Sequence, residues 1–173
     1  MRAHAFWKAV VVDRSDLLER LTAFLADHAV RYCVVGGQAV NAYAEPLVSL
    51  DLDLAVAAEH LPGLEPLLRR SFDVERFPHT LNVSVPGSDL RVQFQTDPRY
   101  ATFAERASEQ EVLGVRLPVA DVEDVLRGKV WAAQDPSRRA SKRQKDLADI
   151  ARLLEARPEL RRQVPEDVLS KLV

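Results

Sequence analysis

The sequence has few of the residues that build disulfides or metal sites. Cys33 is the only cysteine, which excludes an internal disulfide and a cysteine-built zinc site. The histidines (His4, His28, His60 and His79) are scattered, without the close spacing typical of a histidine metal site. No apolar run approaches the ~18 residues of a membrane span, and the N-terminus lacks a signal-peptide pattern. We therefore expect a cytoplasmic protein with no membrane partner.

The chain also lacks a large excess of charge of either sign. Its 24 Lys and Arg residues and 26 Asp and Glu residues leave a formal net charge of −2. That balance excludes a strongly basic coat for nucleic acid but permits a local basic patch. Aromatic residues make up only 6%, and we predict that Trp7 and Trp131 pack rather than stack on bases. The length of 173 residues and the hydrophobic content of 47% are typical of one folded domain.

Hydrophobic periodicity predicts an α/β core over residues 1–118, and a helical region over residues 119–173 that packs on it within one compact domain. Ser15 is the expected N-cap of the first helix. Turn chemistry at residues 86–89 predicts a hairpin. Helices are expected at residues 17–25, 38–44, 61–70, 121–134, 138–156 and 166–173, and strands at residues 31–35, 51–56, 81–85, 90–95 and 112–117.

Two carboxylates share one face of the second predicted strand. Period-two alternation puts Leu52, Leu54 and Val56 on one face, and Asp51 and Asp53 on the other. Carboxylates held side by side repel each other unless water or a cation lies between them, and such oxygen ligands suit Mg²⁺. The alternative is an exposed strand face that carries two acids by chance.

A pair of glycines stands where the first predicted strand meets a helix. Gly36 and Gly37 follow the strand, and Gln38 opens the predicted helix. Glycine lets the backbone approach a ligand closely, and the free amides and dipole of a helix start attract phosphate. A plain tight turn is the alternative. The Walker A loop and the Gly-x-Gly-x-x-Gly fingerprint are both absent.

Together, the strand, the Gly-Gly pair, the helix and the Asp-x-Asp strand resemble the nucleotidyltransferase superfamily related to DNA polymerase beta. Residues 35–43 and 51–54, together with residues 143–150, are most similar to its abortive-infection toxin branch. The resemblance implies the fold class α/β (α+β), with a nucleotidyltransferase-like mixed β-sheet flanked by helices and a C-terminal helical tail.

The resemblance also implies a Mg²⁺-dependent enzyme that transfers a nucleoside monophosphate from an NTP to an acceptor hydroxyl. Asp51 and Asp53 would bind Mg²⁺, and Gly36, Gly37 and Gln38 would hold phosphates at the helix start. The acceptor stays open among a tRNA, a protein side chain and a small molecule. Likeness to the toxin branch implies a cognate antitoxin or toxin partner.

The sequence departs from the family pattern at two places. A neighbouring strand often supplies a third carboxylate, but the matching residue here is Gln93, which cannot serve as a general base. Leu47 and Val48 stand where the toxin branch tends to carry Arg. These departures motivate an alternative, a non-catalytic module of the same fold that binds a nucleotide or a partner protein.

The resemblance assigns basic residues of the helical region to the site. Lys129 falls within an apolar helical stripe, so it snorkels to solvent, pairs with an acid or reaches a cleft. Lys129 and Lys145 would support the leaving pyrophosphate, and Asp146 would line the cleft. Lys142 and Arg143 would contact the triphosphate or an RNA acceptor.

Spacing alone favours a different interpretation of the second tail helix. Lys142 with Asp146 and Lys145 with Asp149 are i,i+4 pairs, which are typical of a solvated and self-paired helix face. A third hypothesis is simple RNA binding through the basic run at residues 138–145.

Overall fold

A mixed β-sheet flanked by helices organises the chain in a computed structural model that describes residues 16–172. The strands are β1 (Tyr32–Val35), β2 (Asp51–Val56), β3 (Asp73–Arg76), β4 (Thr80–Ser84), β5 (Arg91–Gln95), β6 (Ser108–Val112) and β7 (Val115–Val119). The α-helices are α1 (Leu17–Asp27), α2 (Gly36–Tyr43), α3 (Leu61–Arg69), α4 (Val122–Gln134), α5 (Ala140–Ala156) and α6 (Glu166–Leu169). Short 3₁₀ helices lie at Ala58–His60, Pro98–Tyr100, Phe103–Arg106 and Pro158–Gln163.

Strand β2 lies in the middle of the sheet. It pairs antiparallel with β1 on one side and parallel with β5 on the other. Over residues 16–172 the strand order is β3-β4-β5-β2-β1-β7-β6. Because β1 runs directly into α2, this order brings the Gly-Gly pair and the Asp-x-Asp pair onto neighbouring elements.

Helix α2 connects the sheet to the helical region. It packs against β2 and also against α4 and α5, which in turn pack against each other. Val125 and Leu126 of α4, and Leu147 and Ile150 of α5, are buried in the core. The predicted division at residue 118 stays a prediction. None of the helices within residues 16–172 is long and apolar enough to cross a membrane.

The strands that border the centre of the sheet follow the predicted alternation. Leu52 and Leu54 of β2 are each 1% exposed, and Val92 and Phe94 of β5 are buried in the same way. The predicted hairpin is confirmed, because β4 and β5 pair antiparallel. The polar residues of both strands therefore share the opposite face of the sheet.

The single strand predicted at residues 112–117 is wrong in its bounds, because a turn divides it into parts of two strands. Val112 ends β6 and Val115 begins β7, and the two strands pair antiparallel. Leu113 and Gly114 between them have φ values of 52° and 80°, the positive values that a tight hairpin turn requires. Strands β3 and β6 were not expected from the sequence, because they lie at the two edges of the sheet and are mostly polar.

Helix ends also differ from the prediction. Helix α2 begins at Gly36 instead of residue 38, and α6 is a single turn that ends at Leu169. Ser15, the predicted N-cap of the first helix, lies outside the described residues, as do Trp7 and His4.

Candidate active site

The two carboxylates of the Asp-x-Asp pair lie on the same face of β2, but their partners differ. Both residues are partly exposed, whereas the leucines between and after them are buried. The β2–β5 register pairs Asp51 with Arg91, and Arg91 Nε lies 2.6 Å from Asp51 Oδ1. The Arg91 side chain is 65% exposed, so this ion pair is solvated. Asp51 is thus neutralised by an arginine that can turn away into solvent.

Asp53 has the less satisfied carboxylate of the pair. Its Oδ1 atom is buried and has no hydrogen-bond partner among the described residues. Burial raises the pKa of Asp53 from 3.8 to about 6; the Lys129 ammonium opposes the rise, and repulsion from Asp51 adds to it. A buried carboxylate without a partner is costly unless a cation or a proton joins it. Asp53 Oδ1 is therefore a candidate ligand for a cation.

A row of polar side chains crosses the sheet from Asp53. The strand registers pair Asp53 with Gln93, and Gln93 with Asn82. Directly paired residues project from the same face of a sheet, so the three side chains are neighbours. Gln93 thus lies beside Asp53. Asp53 is the one member of the row that can ionise.

Gly36 makes room for Asp53. Gly36 has a φ of 68°, in the left-handed region that disfavours other residues. A Cβ at this position would overlap Asp53 Oδ2 and lie 3.0 Å from the Cβ and Cγ atoms of Asp53. Gly37 differs, because the nearest atom to a Cβ there is Asp149 Oδ2 at 3.9 Å, an ordinary contact. Only the first glycine is required by the geometry of the site.

A cleft of about 590 Å³ opens over this face of the sheet. The sheet contributes Asp53, Gln93 and Gln95 to its lining, and α4 with the loop after it contributes Lys129 and Arg138. A third wall comes from the segment that follows β5. Of the residues predicted for the site, the cleft is lined by Gly36, Asp53, Lys129 and Asp146.

Lys129 reaches the cleft and also pairs with acids. Its Nζ atom lies 3.1 Å from Asp146 Oδ1 and 2.8 Å from Asp149 Oδ2, and its side chain is only 11% exposed. Burial acts to lower the pKa of Lys129, but Asp149 and Asp146 together outweigh it, so the pKa is raised. Asp146 is 1% exposed and also accepts two hydrogen bonds from the Arg138 guanidinium, at 2.8 and 3.1 Å. The lysine is therefore a cation fixed within a buried network.

The same network reaches the loop that precedes Asp51. Arg152 donates hydrogen bonds to Asp149 Oδ1 at 2.7 Å and to Asn41 Oδ1 at 2.6 Å. Asn41 in turn holds the backbone of Leu47 through its amide nitrogen and its carbonyl oxygen. Helix α5 is thus connected through α2 to the loop that leads into β2.

The predicted i,i+4 ion pairs along α5 are wrong. Asp146 and Asp149 both turn toward Lys129, because the side of α5 that carries them packs against α4 and α2. Lys142 lies 4.0 Å from Asp51 Oδ2 instead, and Lys145 is exposed. The structure does not bring Lys145 to the cleft.

Two other predicted phosphate contacts have structural partners. Arg143 donates hydrogen bonds to the backbone carbonyls of Ala133, Asp135 and Arg138, so it secures the turn between α4 and α5. Gln38 is 4% exposed, and its Nε2 donates a hydrogen bond to the Ser49 carbonyl at 3.1 Å. Neither side chain lines the cleft. Gln38 instead supports the loop that enters β2.

Arg138 is one of the cleft residues that the sequence analysis did not assign to the site. It was one of several cations in a basic run, and nothing in the run distinguishes it from Arg139 or Lys142. Its position depends on Asp146, eight residues further along the chain, and on the turn that Arg143 secures.

Arg99 and Tyr100, which also line the cleft, carried no motif that could have identified them.

Known proteins are similar to this chain in fold. No family model matches the sequence, and no curated protein matches it. A nucleotidyltransferase-like antigenic protein from Paracoccidioides brasiliensis superposes with a TM-score of 0.55 at 19% identity, over 89% of this chain and 83% of that one. The lincosamide antibiotic adenylyltransferase LnuA, bound to lincomycin, gives a TM-score of 0.52 at 14% identity, over 83% of this chain and 99% of that one.

The antibiotic-resistance factor ANT(2'')-Ia gives a similar result. Its TM-score is 0.51 at 15% identity, over 85% of this chain and 90% of that one. At these identities the likeness establishes the fold alone. The predicted fold class, a nucleotidyltransferase-like mixed sheet flanked by helices, is therefore confirmed.

Proposed function

We propose that this protein is a Mg²⁺-dependent nucleotidyltransferase, which transfers a nucleoside monophosphate from an NTP to an acceptor hydroxyl. One observation carries the proposal: the Asp53 carboxylate faces the cleft under Gly36, with a buried oxygen that has no partner among the described residues. Asp51 lies on the same face of β2. The fold shared with known nucleotidyltransferases supports the same reaction class.

Mg²⁺ fits the donors that the strand presents. Asp51 and Asp53 would hold the ion, because hard carboxylate oxygens suit it and because Asp53 Oδ1 needs a cation. No cluster of three His, Cys, Asp or Glu side chains that could hold a metal occurs within residues 16–172, so phosphate and water would complete the coordination. A bound Mg²⁺ would neutralise charge on the phosphates.

Residues of the chain itself would hold the triphosphate. The Lys129 ammonium and the Arg138 guanidinium border the cleft beside Asp53. Their charges favour an anionic ligand there. Gly36 has no side chain to exclude a phosphate from the backbone at the start of α2. Lys142 adds a further cation beside Asp51. Lys145, which is exposed, is not part of the proposed machinery.

The transfer would be an in-line displacement at the α-phosphorus. The acceptor oxygen forms a bond to the α-phosphorus, the bond to the bridging oxygen breaks, and pyrophosphate leaves with the electron pair. The hydroxyl proton passes to solvent, because Gln93 cannot take it. We propose a small-molecule acceptor first, as LnuA is an antibiotic adenylyltransferase of this fold. A tRNA, a protein side chain and a toxin–antitoxin partner are the other proposals, and they depend on the toxin-branch resemblance.

A second candidate function follows from Gln93. The residue beside Asp53 in the sheet is an amide, so the site lacks the third carboxylate that often serves as general base in the superfamily. A non-catalytic module would bind Mg-NTP, or a partner protein, without turnover. This alternative uses the same two carboxylates and differs only in the chemical step.

Calorimetry with each of the four NTPs, with and without Mg²⁺, tests the binding step. We expect Mg²⁺-dependent binding that is lost in an Asp51→Ala, Asp53→Ala double variant and kept in the matched control Asp73→Ala, which alters an exposed aspartate of edge strand β3. Incubation with NTP labelled at the α-phosphate and candidate acceptors then tests transfer. Folded protein that binds no Mg-NTP would refute the proposal, and binding without transfer to any acceptor would favour the alternative.

A further inference from the structure

An aromatic cluster forms the wall of the cleft next to the segment that follows β5. The rings of Phe103 and Trp131 are stacked, with centroids 5.8 Å apart and planes 15° apart. Tyr100 meets both rings edge-on, at 5.2 Å from Phe103 and 5.3 Å from Trp131. All three rings line the cleft that Asp53 faces. Trp131 therefore packs, as predicted, but it does so at the border of the candidate active site.

Helix α4 has a glycine at the point where it contacts this cluster. Gly128 lies in the middle of the helix, where glycine is unfavourable. A Cβ at this position would lie 3.1 Å from Tyr100 Cε1, and the Tyr100 hydroxyl lies 3.4 Å from the Gly128 carbonyl oxygen. The glycine thus permits the ring to lie against the helix, which fixes the aromatic wall in relation to Lys129.

Arg99 lies over the Trp131 ring and also lines the cleft. Its Cζ atom lies 4.6 Å from the ring centroid. Its Nε and Nη2 atoms donate hydrogen bonds to Asp97 Oδ2 at 3.0 and 2.9 Å, and its backbone N–H donates one to Asp97 Oδ1 at 2.9 Å. The guanidinium is held by a ring and a carboxylate, yet 54% of the side chain is exposed.

The remaining surface of Arg99 suits a flat ring better than a phosphate. Asp97 is paired with Arg99 and occupies two of its donors, so a second anion would gain little there and would face the Asp97 charge. The cations beside Asp53 differ, because Lys129 and Arg138 share the single carboxylate of Asp146. One face of the guanidinium lies over Trp131, and from the exposure of the side chain we infer that the opposite face is open. Guanidinium planes stack well on aromatic rings.

We propose that Arg99, backed by Trp131, is the platform on which the nucleobase of the NTP stacks. The inference rests on the proposed function, since it takes the triphosphate to lie beside Asp53, Lys129 and Arg138. These residues and Arg99 line one cleft. The phosphates and the base of one nucleotide then bind to different walls of that cleft, and the base contributes affinity that the phosphates alone do not.

Calorimetry with two probes tests the platform. Mg-ATP carries a base, whereas Mg-tripolyphosphate carries the phosphates alone. We expect the wild type to bind Mg-ATP at least about fivefold more tightly than Mg-tripolyphosphate, as stacking of one base provides. Arg99→Ala should remove most of that difference and leave the affinity for Mg-tripolyphosphate unchanged. Arg99→Lys should behave in the same way, because it keeps the charge but loses the planar face.

The control variant is Arg116→Lys, which alters an arginine of β7 outside the cleft and should keep the preference for Mg-ATP. Thermal unfolding of each variant checks its folding. The inference is overturned if the wild type binds both probes alike, if the preference survives in Arg99→Ala, or if that variant loses both probes equally. The proposed function fails separately, when folded wild type binds neither probe.

Discussion

The carboxylate of Asp53 occupies the space that a side chain on residue 36 would need. Gly36 turns the chain from β1 into α2 with a positive φ, and the turn passes directly over Asp53. The two sequence motifs are therefore one structural unit, because the first glycine decides where the second carboxylate can lie. The neighbouring Gly37 has no such constraint.

We expect Gly36→Ala to damage both stability and binding. A left-handed backbone costs other residues about 1–2 kcal/mol, and the added methyl group would also displace Asp53. The melting temperature should fall by roughly 2–8 °C, and calorimetry should show weaker binding of Mg-ATP. Gly37→Ala is the matched control, because alanine fits there and is the better helix former. Equal stability and equal affinity of the two variants would show that the contact with Asp53 does not matter.

The metal-free protein should lose stability as the pH rises through the range in which Asp53 titrates. Its pKa is raised from 3.8 to about 6, chiefly by burial, so between these values the folded protein keeps a proton that the unfolded chain releases. The free energy of unfolding therefore falls with rising pH, by at most about 3 kcal/mol from this group. Asp53→Asn removes the titration and should be the more stable protein above pH 6.

Denaturant unfolding in a chelating buffer at about pH 4 and about pH 7.5 measures this difference. Asp53→Asn should exceed the wild type in its free energy of unfolding by more at the higher pH than at the lower pH. Asp73→Asn, on an exposed edge strand, controls for the loss of one negative charge. If the free energy of unfolding changes with pH in the same way in the wild type and in Asp53→Asn, the Asp53 carboxylate is solvated in the folded protein.

The sequence was informative where polar and apolar residues alternate on strands with one buried face. Asp51 and Asp53 could be recognised because the leucines around them define the period, and the same holds for Gln93. Strand β6 reads Ser-Glu-Gln-Glu-Val and buries only Val112 among its residues. Its sequence therefore shows no alternation of polar and apolar residues. Edge strands have fewer buried contacts, and hydrophobic pattern therefore says less about them.

The network around Lys129 shows a different limit. Periodicity located Lys129 in an apolar stripe and suggested an acid partner, but it could not say which acid. Helical spacing predicted ion pairs of Asp146 with Lys142 and of Asp149 with Lys145. The packing of α5 against α4 and α2 reversed that assignment, and such contacts between distant segments leave no trace in a local pattern.

Asp146→Asn should destabilise the protein far more than Lys145→Ala. Asp146 is 1% exposed and pairs with Lys129 and Arg138. Its neutralisation leaves the buried Lys129 ammonium and the partly exposed Arg138 guanidinium with one carboxylate fewer. We expect a cost of about 3 kcal/mol, at the lower end for a broken buried pair because Lys129 keeps Asp149. Lys145 is exposed, so its substitution should stay within about 0.5 kcal/mol. Urea unfolding measures both, and similar costs would contradict the network.

Gln93→Asp separates the enzyme from the non-catalytic module. The residue lies beside Asp53 in the β2–β5 register, so the variant places a carboxylate where the superfamily pattern has one. If the missing carboxylate limits a working enzyme, transfer of label from the α-phosphate should rise by about a hundredfold or more, the usual contribution of a general base. The variant should also depend more strongly on Mg²⁺, because a further carboxylate beside Asp53 increases their repulsion.

Gln95→Asp is the matched control for that experiment. It adds the same charge to the same face of β5, two residues further along the strand, where β2 offers Ala55 as the paired residue. A gain in transfer from Gln93→Asp that Gln95→Asp does not reproduce would support the nucleotidyltransferase. If Gln93→Asp folds and binds Mg-NTP yet transfers nothing to any acceptor, the fold serves binding alone, because the two carboxylates, the cations and the restored third carboxylate would then all be present without chemistry.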